Sequence, residues 1–202
     1  MDPQILSYLN KSTKLTMVGP MPCEPLTGDG PFLFVDGGAD KRGKHTGASV
    51  GDGDSLKGPT DISIPCEKNY SDLAHALSLV PTQIEEIKLV GFMGGRWDHQ
   101  LGNFFEALSF LKHKDNTLMN FEDKIHIFSA GSFNFCFAEQ FGVFCLEKQK
   151  ISLTGNVKYP LSEEVELMPM SSHGVSNVSF GAFQITTSGP MILAKGEMKW
   201  PM

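Results

Sequence analysis

The apolar residues of this chain keep one rhythm up to about residue 120 and another after about residue 124, and that change limits the folds open to it. In the first stretch, "KLTMVG", "FLFVDGG", "GASVGD", "DISIP" and "IKLVGFMGG" are short apolar runs bounded by Gly, Pro or Asp, and they read as strands. Between them, "SDLAHALSLV" repeats Leu73, Ala76, Leu77 and Val80 at helical spacing, with Ser71 suited to cap the start and Asp72 and His75 on the other face. "DHQLGNFFEALSFLKHK" carries Leu101, Phe104, Phe105, Leu108 and Leu111 as an apolar stripe. There Asp98 is placed to cap the first turn, and Lys112, His113 and Lys114 suit the negative end. Strands interleaved with helices predict a largely parallel, Rossmann-like α/β sheet. Beyond residue 124 the helical spacing stops. Phe133, Phe135 and Phe137 alternate at the strand period, and "KISLTG", "VKYPL", "GVSNVSF", "FQITTSG" and "PMILAKG" follow between turn residues. These predict a small antiparallel β-sandwich whose phenylalanines form its core. The expected fold class is therefore α/β plus all-β, with an α/β domain over 1–122 and a sandwich domain over 123–202.

With 202 residues the chain can bury roughly 70% of its extended surface, enough for one substantial core or two modest ones. Its net charge of −6 argues against a nucleic-acid surface, which needs a basic face. An anionic nucleotide would need local help from a metal, a helix N-terminus or a few placed cations. Arg42 and Arg96 are the only arginines, so their positions are informative. The four cysteines, Cys23, Cys66, Cys136 and Cys145, show neither C-x-x-C nor a zinc spacing with histidine, and read as free thiols of a reducing compartment. No cleavage-site pattern opens the sequence and no run of about 18 apolar residues occurs, so the expectation is a cytoplasmic protein without a membrane anchor.

Within "GASVGDGDSLKG", residues 47–58, Asp52 and Asp54 stand one glycine apart. Two unit charges about 5 Å apart repel by roughly 3 kcal/mol at an effective dielectric near 20. A solvated turn explains the pair, since Gly and Asp both favour turns. A divalent cation held by hard oxygen ligands is the other explanation, although an EF-hand is not, because that spacing fails at Leu56 and Lys57. Two further joints combine glycine with acid at presumed carboxyl ends of strands: "VDGGAD" at 35–40 and "GFMGGRWDH" at 91–99. Ligands of open α/β sheets bind where strands end and loops diverge, so acids from separate joints can meet in one crevice. Glycines there let backbone amides approach an anion. Arg96 either clamps phosphate oxygens or pairs with Asp98 at the surface, and Asp98 is either a site residue or a cap. His75 and His99 read as structural.

In order and spacing these segments resemble the thiamine pyrophosphokinase family. That family carries a D-G-G-A-N turn, a G-D-F-D-S loop, a K-D-x-T-D-x-x-K segment and a G-G-R-x-D-H turn. Here "DGGAD" stands at 36–40, "GDGDS" at 51–55, "KNYSDLAH" at 68–75 and "GGRWDH" at 94–99. Later, "GNVKYPL" at 155–161 and "GVSN" at 174–177 resemble the family's G-x-x-Y-P-L and G-x-S-N. The resemblance implies transfer of pyrophosphate from ATP to the hydroxyl of thiamine, giving thiamine diphosphate and AMP, with Mg²⁺ present. It implies Asp36, Asp52, Asp54 and Asp72 as metal ligands, and Asp52, Asp54, Asp72, Arg96 and Asp98 as the catalytic group. Asp36, Gly37, Gly38, Gly95 and Arg96 would bind the nucleotide, and Ser176 and Asn177 would face thiamine. A homodimer with a site shared between subunits is also implied, with no nucleic-acid or membrane partner.

Four departures from the family pattern stand out. Gly53 replaces phenylalanine between the paired acids, Asn69 replaces an acid, with Ser71 for the nearby threonine, and His75 stands where the family has lysine. The fourth is length: about a dozen residues separate the first two strands, too few for a full crossover helix. Two other readings therefore stand beside the first: a pyrophosphokinase acting on another hydroxymethyl heterocycle such as a pterin, and a non-catalytic protein that binds thiamine or thiamine diphosphate.

Overall fold

A computed structural model describes residues 9–10, 12–28, 30–53, 59–169 and 171–196, with the side chains of residues 162–164 left out. The chain divides into two compact units. The first takes residues 1–110 and 119–122, and the second takes 111–118 and 123–202.

In the first unit, β1 (Lys14–Val18), β2 (Phe32–Val35), β3 (Gly47–Gly51), β4 (Ile62–Ser63) and β5 (Glu86–Val90) pair in the order β5-β1-β2-β3-β4, every pair parallel. Phe32, Leu33, Phe34 and Val35 are all buried, as expected of a parallel strand covered on both faces. A 3-10 helix (Asp36–Lys41) leaves the end of β2. Helix α1 (Asp72–Ser78) begins at Ser71, whose hydroxyl accepts from the Ala74 amide at 3.0 Å, and it buries Leu73, Ala76 and Leu77. Helix α2 (Trp97–Leu111) follows β5, and β6 (Leu118–Phe121) follows it in sequence. Among the described residues no helix joins β1 to β2, as the short spacing predicts. Instead the backbone turns tightly across the strand ends, with Gly19 and Met21 donating to the Val90 and Gly91 carbonyls. The two chains cross so closely that a Cβ on Gly19 would stand 2.4 Å from the Gly91 oxygen.

In the second unit, β7 (Ile125–Phe128), β8 (Gly131–Phe137), β9 (Gln140–Phe144), β10 (Gln149–Val157), β11 (Leu161–Leu167), β12 (Asn177–Thr187) and β13 (Met191–Lys195) pair antiparallel throughout. Phe133, Phe135, Phe141 and Phe183 lie in its core, with Phe135 and Phe141 stacked on Phe183 at ring-centroid distances of 5.5 and 5.0 Å. The aromatics are core, as their alternation predicts.

Several expectations need correcting. Strand pairing over the chain is mixed, parallel in one unit and antiparallel in the other, so the fold is not clearly a Rossmann-like parallel sheet joined to a sandwich. "GVSNVSF" and "FQITTSG" do not form separate strands. They run through Gly181 as the single strand β12, which pairs with β9 at Asn177 and Val178 and with β8 from Gly181 onward. On α2, Leu101 and Phe105 are exposed, while Gln100, Ala107, Leu108 and Leu111 are buried. The buried face thus shares Leu108 and Leu111 with the predicted stripe but turns toward Gln100 and Ala107 and away from Leu101 and Phe105. Asp98 is not the cap: the Arg96 carbonyl accepts the first helical bond, from the Gln100 amide, and Asp98 sits inside the first turn. Among the described residues no helix is long and apolar enough to cross a membrane.

Candidate functional site

Parallel strands place the joints that follow them along one sheet edge, and this sequence puts acids in those joints. Asp36 comes directly after β2 in the left-handed region, with φ +49°, a conformation that aspartate tolerates better than most residues. Asp52 comes directly after β3. Between them Gly51 allows a close approach, since a Cβ there would lie 3.0 Å from the Asp36 Cα. Asp72 is the first residue of α1. Carboxylate oxygens of Asp36, Asp52 and Asp72 all lie within 4.8 Å of one another, and all three residues are half-buried. Asp54 lies outside the described residues.

The side chain that joins this cluster is Lys68. Its Nζ donates to Asp52 Oδ2 at 2.6 Å and stands 2.9 Å from Asp72 Oδ1. Only 9% of the lysine side chain and 10% of the Asp52 side chain are exposed. Burial alone would push the ammonium down, but the hydrogen bonds and charges of Asp52 and Asp72 hold it well above the usual lysine range. Lys68 opens the segment "KNYSDLAH" and is a site residue that sequence reasoning missed. The available signal was its spacing of four residues from Asp72.

Gly38 is buried, and a Cβ on it would come within 2.0 Å of the Val18 carbonyl oxygen, so glycine is required there by packing. Gly37 precedes it in the same 3-10 turn. Lys41, at the end of that turn, donates from Nζ to the Gly19 carbonyl at 2.6 Å and to the Met21 carbonyl, tying the joints together. Gly53 has φ +81°, and no described atom lies within 4 Å of where its Cβ would be.

At the third joint Gly94 and Gly95 both have positive φ, 90° and 70°. Arg96 forms a two-pronged pair with Asp98, Nε to Oδ1 at 3.1 Å and Nη2 to Oδ2 at 2.5 Å. Both side chains are largely exposed. The guanidinium holds the Asp98 carboxyl down at about 2. Of the two alternatives weighed for Arg96, the surface pair is the one formed here, and Asp98 is outside the carboxylate cluster among the described residues. His75 stacks on Tyr70 at 5.8 Å, and His99 is exposed.

In the second unit, Ser176 is exposed at φ +64° and Asn177 is buried. The Asn177 side chain accepts from the Tyr159 and Val178 amides at 3.0 and 2.8 Å and donates to the Tyr159 carbonyl at 2.6 Å. It therefore clamps the "KYPL" turn against the start of β12. A cavity of about 350 Å³ opens beside this clamp, lined by Val143, Tyr159, Pro160, Leu161, His173 and Val175 among others. Both sequence segments singled out in this half border it.

Solved structures of thiamine pyrophosphokinases share this fold. The enzyme from Bacillus subtilis superposes with a TM-score of 0.70 at 20% identity, covering 92% of this chain and 99% of that one. The thiamin pyrophosphokinase of Geobacillus thermodenitrificans gives 0.71 at 20%, with the same coverage. That of Candida albicans gives 0.67 at 12%, covering 95% of this chain and 90% of that one. At these identities the likeness is one of fold. No protein-family model and no curated protein matches the sequence.

Proposed function

We propose that this chain is a diverged thiamine pyrophosphokinase, transferring pyrophosphate from ATP to the hydroxyl of thiamine to give thiamine diphosphate and AMP. The observation that carries the reading is the meeting of Asp36, Asp52 and Asp72 in a chain that has the thiamine pyrophosphokinase fold over nearly its whole length. The donor set fits a hard divalent cation such as Mg²⁺, because it offers several carboxylate oxygens within one ion's reach and no sulfur or imidazole. Asp36, Asp52 and Asp72 would hold it, with Asp54 as a further candidate ligand. When bound, such an ion neutralises charge on the transferring polyphosphate.

The remaining work belongs to the chain. The reaction joins the thiamine oxygen to the β-phosphorus of ATP and breaks the bond from that phosphorus to the oxygen bridging to the α-phosphate, so AMP leaves with that oxygen and the hydroxyl proton is released. Such transfers need positioning and charge stabilisation more than covalent help. Arg96 is exposed and forked, so exchanging Asp98 for a phosphate costs it little. Gly37 and Gly95 would let backbone amides approach the phosphates, and Gly38 would hold the joint close to β1. The cavity beside Ser176 and Asn177, bordered by Tyr159 and Val175, suits a flat heterocycle. In this reading residues 1–122 serve as the nucleotide-binding α/β domain and 123–202 as the thiamine-binding β domain. The active form is a cytoplasmic homodimer with the site shared between subunits.

Incubation with ATP, Mg²⁺ and thiamine should yield AMP and thiamine diphosphate in equal amounts. No AMP with thiamine, but AMP with another hydroxymethyl heterocycle, moves the assignment to that acceptor. Folded protein that binds thiamine and releases no AMP with any acceptor ends the enzymatic reading.

A further inference from the structure

The Lys68 ammonium lies between two of the three carboxylates that would hold a metal, 2.6 Å from one and 2.9 Å from the other. An ammonium and a divalent ion placed among the same oxygens repel one another, and both draw on the same lone pairs. The lysine is also nearly buried, so its charge is supported here by Asp52 and Asp72 and not by water. Its backbone lies in the segment leading into α1, outside any helix or strand, so the side chain can swing away without disturbing a regular element. Without it Asp52 and Asp72 would lose the nearly buried cation that stands between them.

We infer that Lys68 is a tethered counter-ion for the acidic cluster: it holds Asp52 and Asp72 together when no metal is bound, and a divalent cation displaces it. The inference rests on the metal-site reading above. Lys68 is thus a positioning residue that lowers the apparent metal affinity by competing for the ligands and keeps the ligands gathered between turnovers. Once displaced, the ammonium is free to meet an anionic oxygen beside the cluster.

Two measurements on the full chain test this without relying on turnover. In the first, Mg²⁺ and Mn²⁺ are titrated by calorimetry into the wild type, Lys68→Met and Lys68→Arg. The account expects Lys68→Met to bind the ion about tenfold more tightly, and Lys68→Arg to bind as the wild type does. Lys68→Met should also melt lower than the wild type without metal and recover most of the difference with it. The second uses wild-type protein alone. Amine acetylation read by mass spectrometry should modify Lys68 slowly without metal and several-fold faster at saturating Mg²⁺, while Lys14, exposed and far along the sequence, should not change. Equal or weaker affinity in Lys68→Met, or a Lys68 acetylation rate indifferent to Mg²⁺, overturns the counter-ion role while leaving the metal site standing. A wild type and a Lys68→Met that both bind no divalent ion overturn the metal-site reading as well.

Discussion

Where the parallel unit gathers charge at the ends of its strands, the antiparallel unit gathers aromatic rings inside. Asp36, Asp52, Asp72 and Lys68 form a half-buried network on joints that glycines let come close. Phe135, Phe141 and Phe183 form a stack in the other unit's core, and the polar clamp beside its cavity is made by Asn177. The difference teaches where each half is sensitive. In the first, the proposed chemistry depends on the charges, and for folding the loss of one acid sets relieved repulsion among the others against a lost partner for Lys68. In the second, a change of volume or hydrogen bonding alters folding directly, and the cavity beside Asn177 with it.

Substitution tests sharpen that contrast. The largest effect is expected on turnover: Asp52→Asn or Asp72→Asn should lower AMP formation by about 10²–10³-fold, the cost of removing one preorganised electrostatic group. Circular dichroism melts of the same variants should fall by less than that of Phe183→Ala, because relieved repulsion offsets part of the lost pairing with Lys68, and an equal or larger loss would erase the distinction between the units. Next in size, Phe183→Ala should cost about 3–5 kcal/mol in urea unfolding, because the ring is buried in contact with three others.

His126 provides a pH test of the second unit. It is 5% exposed, and among the described residues neither ring nitrogen has a hydrogen-bond partner. Burial pushes its pKa down from 6.5 to about 4, with the nearby Asp123 opposing and Lys195 assisting. The folded protein therefore holds this imidazole neutral while the unfolded chain protonates, so stability is full above pH 6.5 and falls as the pH drops toward 4. The shift corresponds to about 3 kcal/mol over that window. Replacing His126 with Phe should flatten this part of the stability profile, and an unchanged slope would assign acid sensitivity to other groups.

Smaller again, Asn177→Ala should cost about 1–3 kcal/mol and loosen the Tyr159 turn, because buried backbone groups lose their partner. The least effect on stability belongs to Arg96→Ala. Its pair with Asp98 is fully exposed, so the melting temperature should not move measurably, while the Michaelis constant for ATP should rise.

The elements were largely legible in the sequence because each answers to a local signal. The spacing of Leu73, Ala76 and Leu77 marks α1, Ser71 marks its start, and the alternation of Phe133 and Phe135 marks a strand with a buried face. The joints bearing Asp36 and Asp52 were legible too, as glycine and acid after apolar runs. What local signals could not settle was anything decided by packing partners. Leu101 and Phe105 fit a helical stripe as well as Ala107 does, and only the neighbouring strand chooses which face is covered. Gly181 looked like a break between two strands because nothing nearby shows that β8 and β10 flank it on both sides. Lys68 escaped notice for the same reason. Repulsion between acids is relieved by a solvated turn, by an external ion or by a cation of the chain itself, and the reach of a lysine sixteen residues beyond Asp52 leaves no periodic trace.

The most direct test is anomalous diffraction from crystals of the full chain soaked in Mn²⁺. The account predicts a peak within coordination distance of carboxylate oxygens from Asp36, Asp52 and Asp72, with the Lys68 side chain moved off them. Well-ordered crystals with no peak at those residues, and with Lys68 still seated between Asp52 and Asp72 at saturating metal, would contradict it.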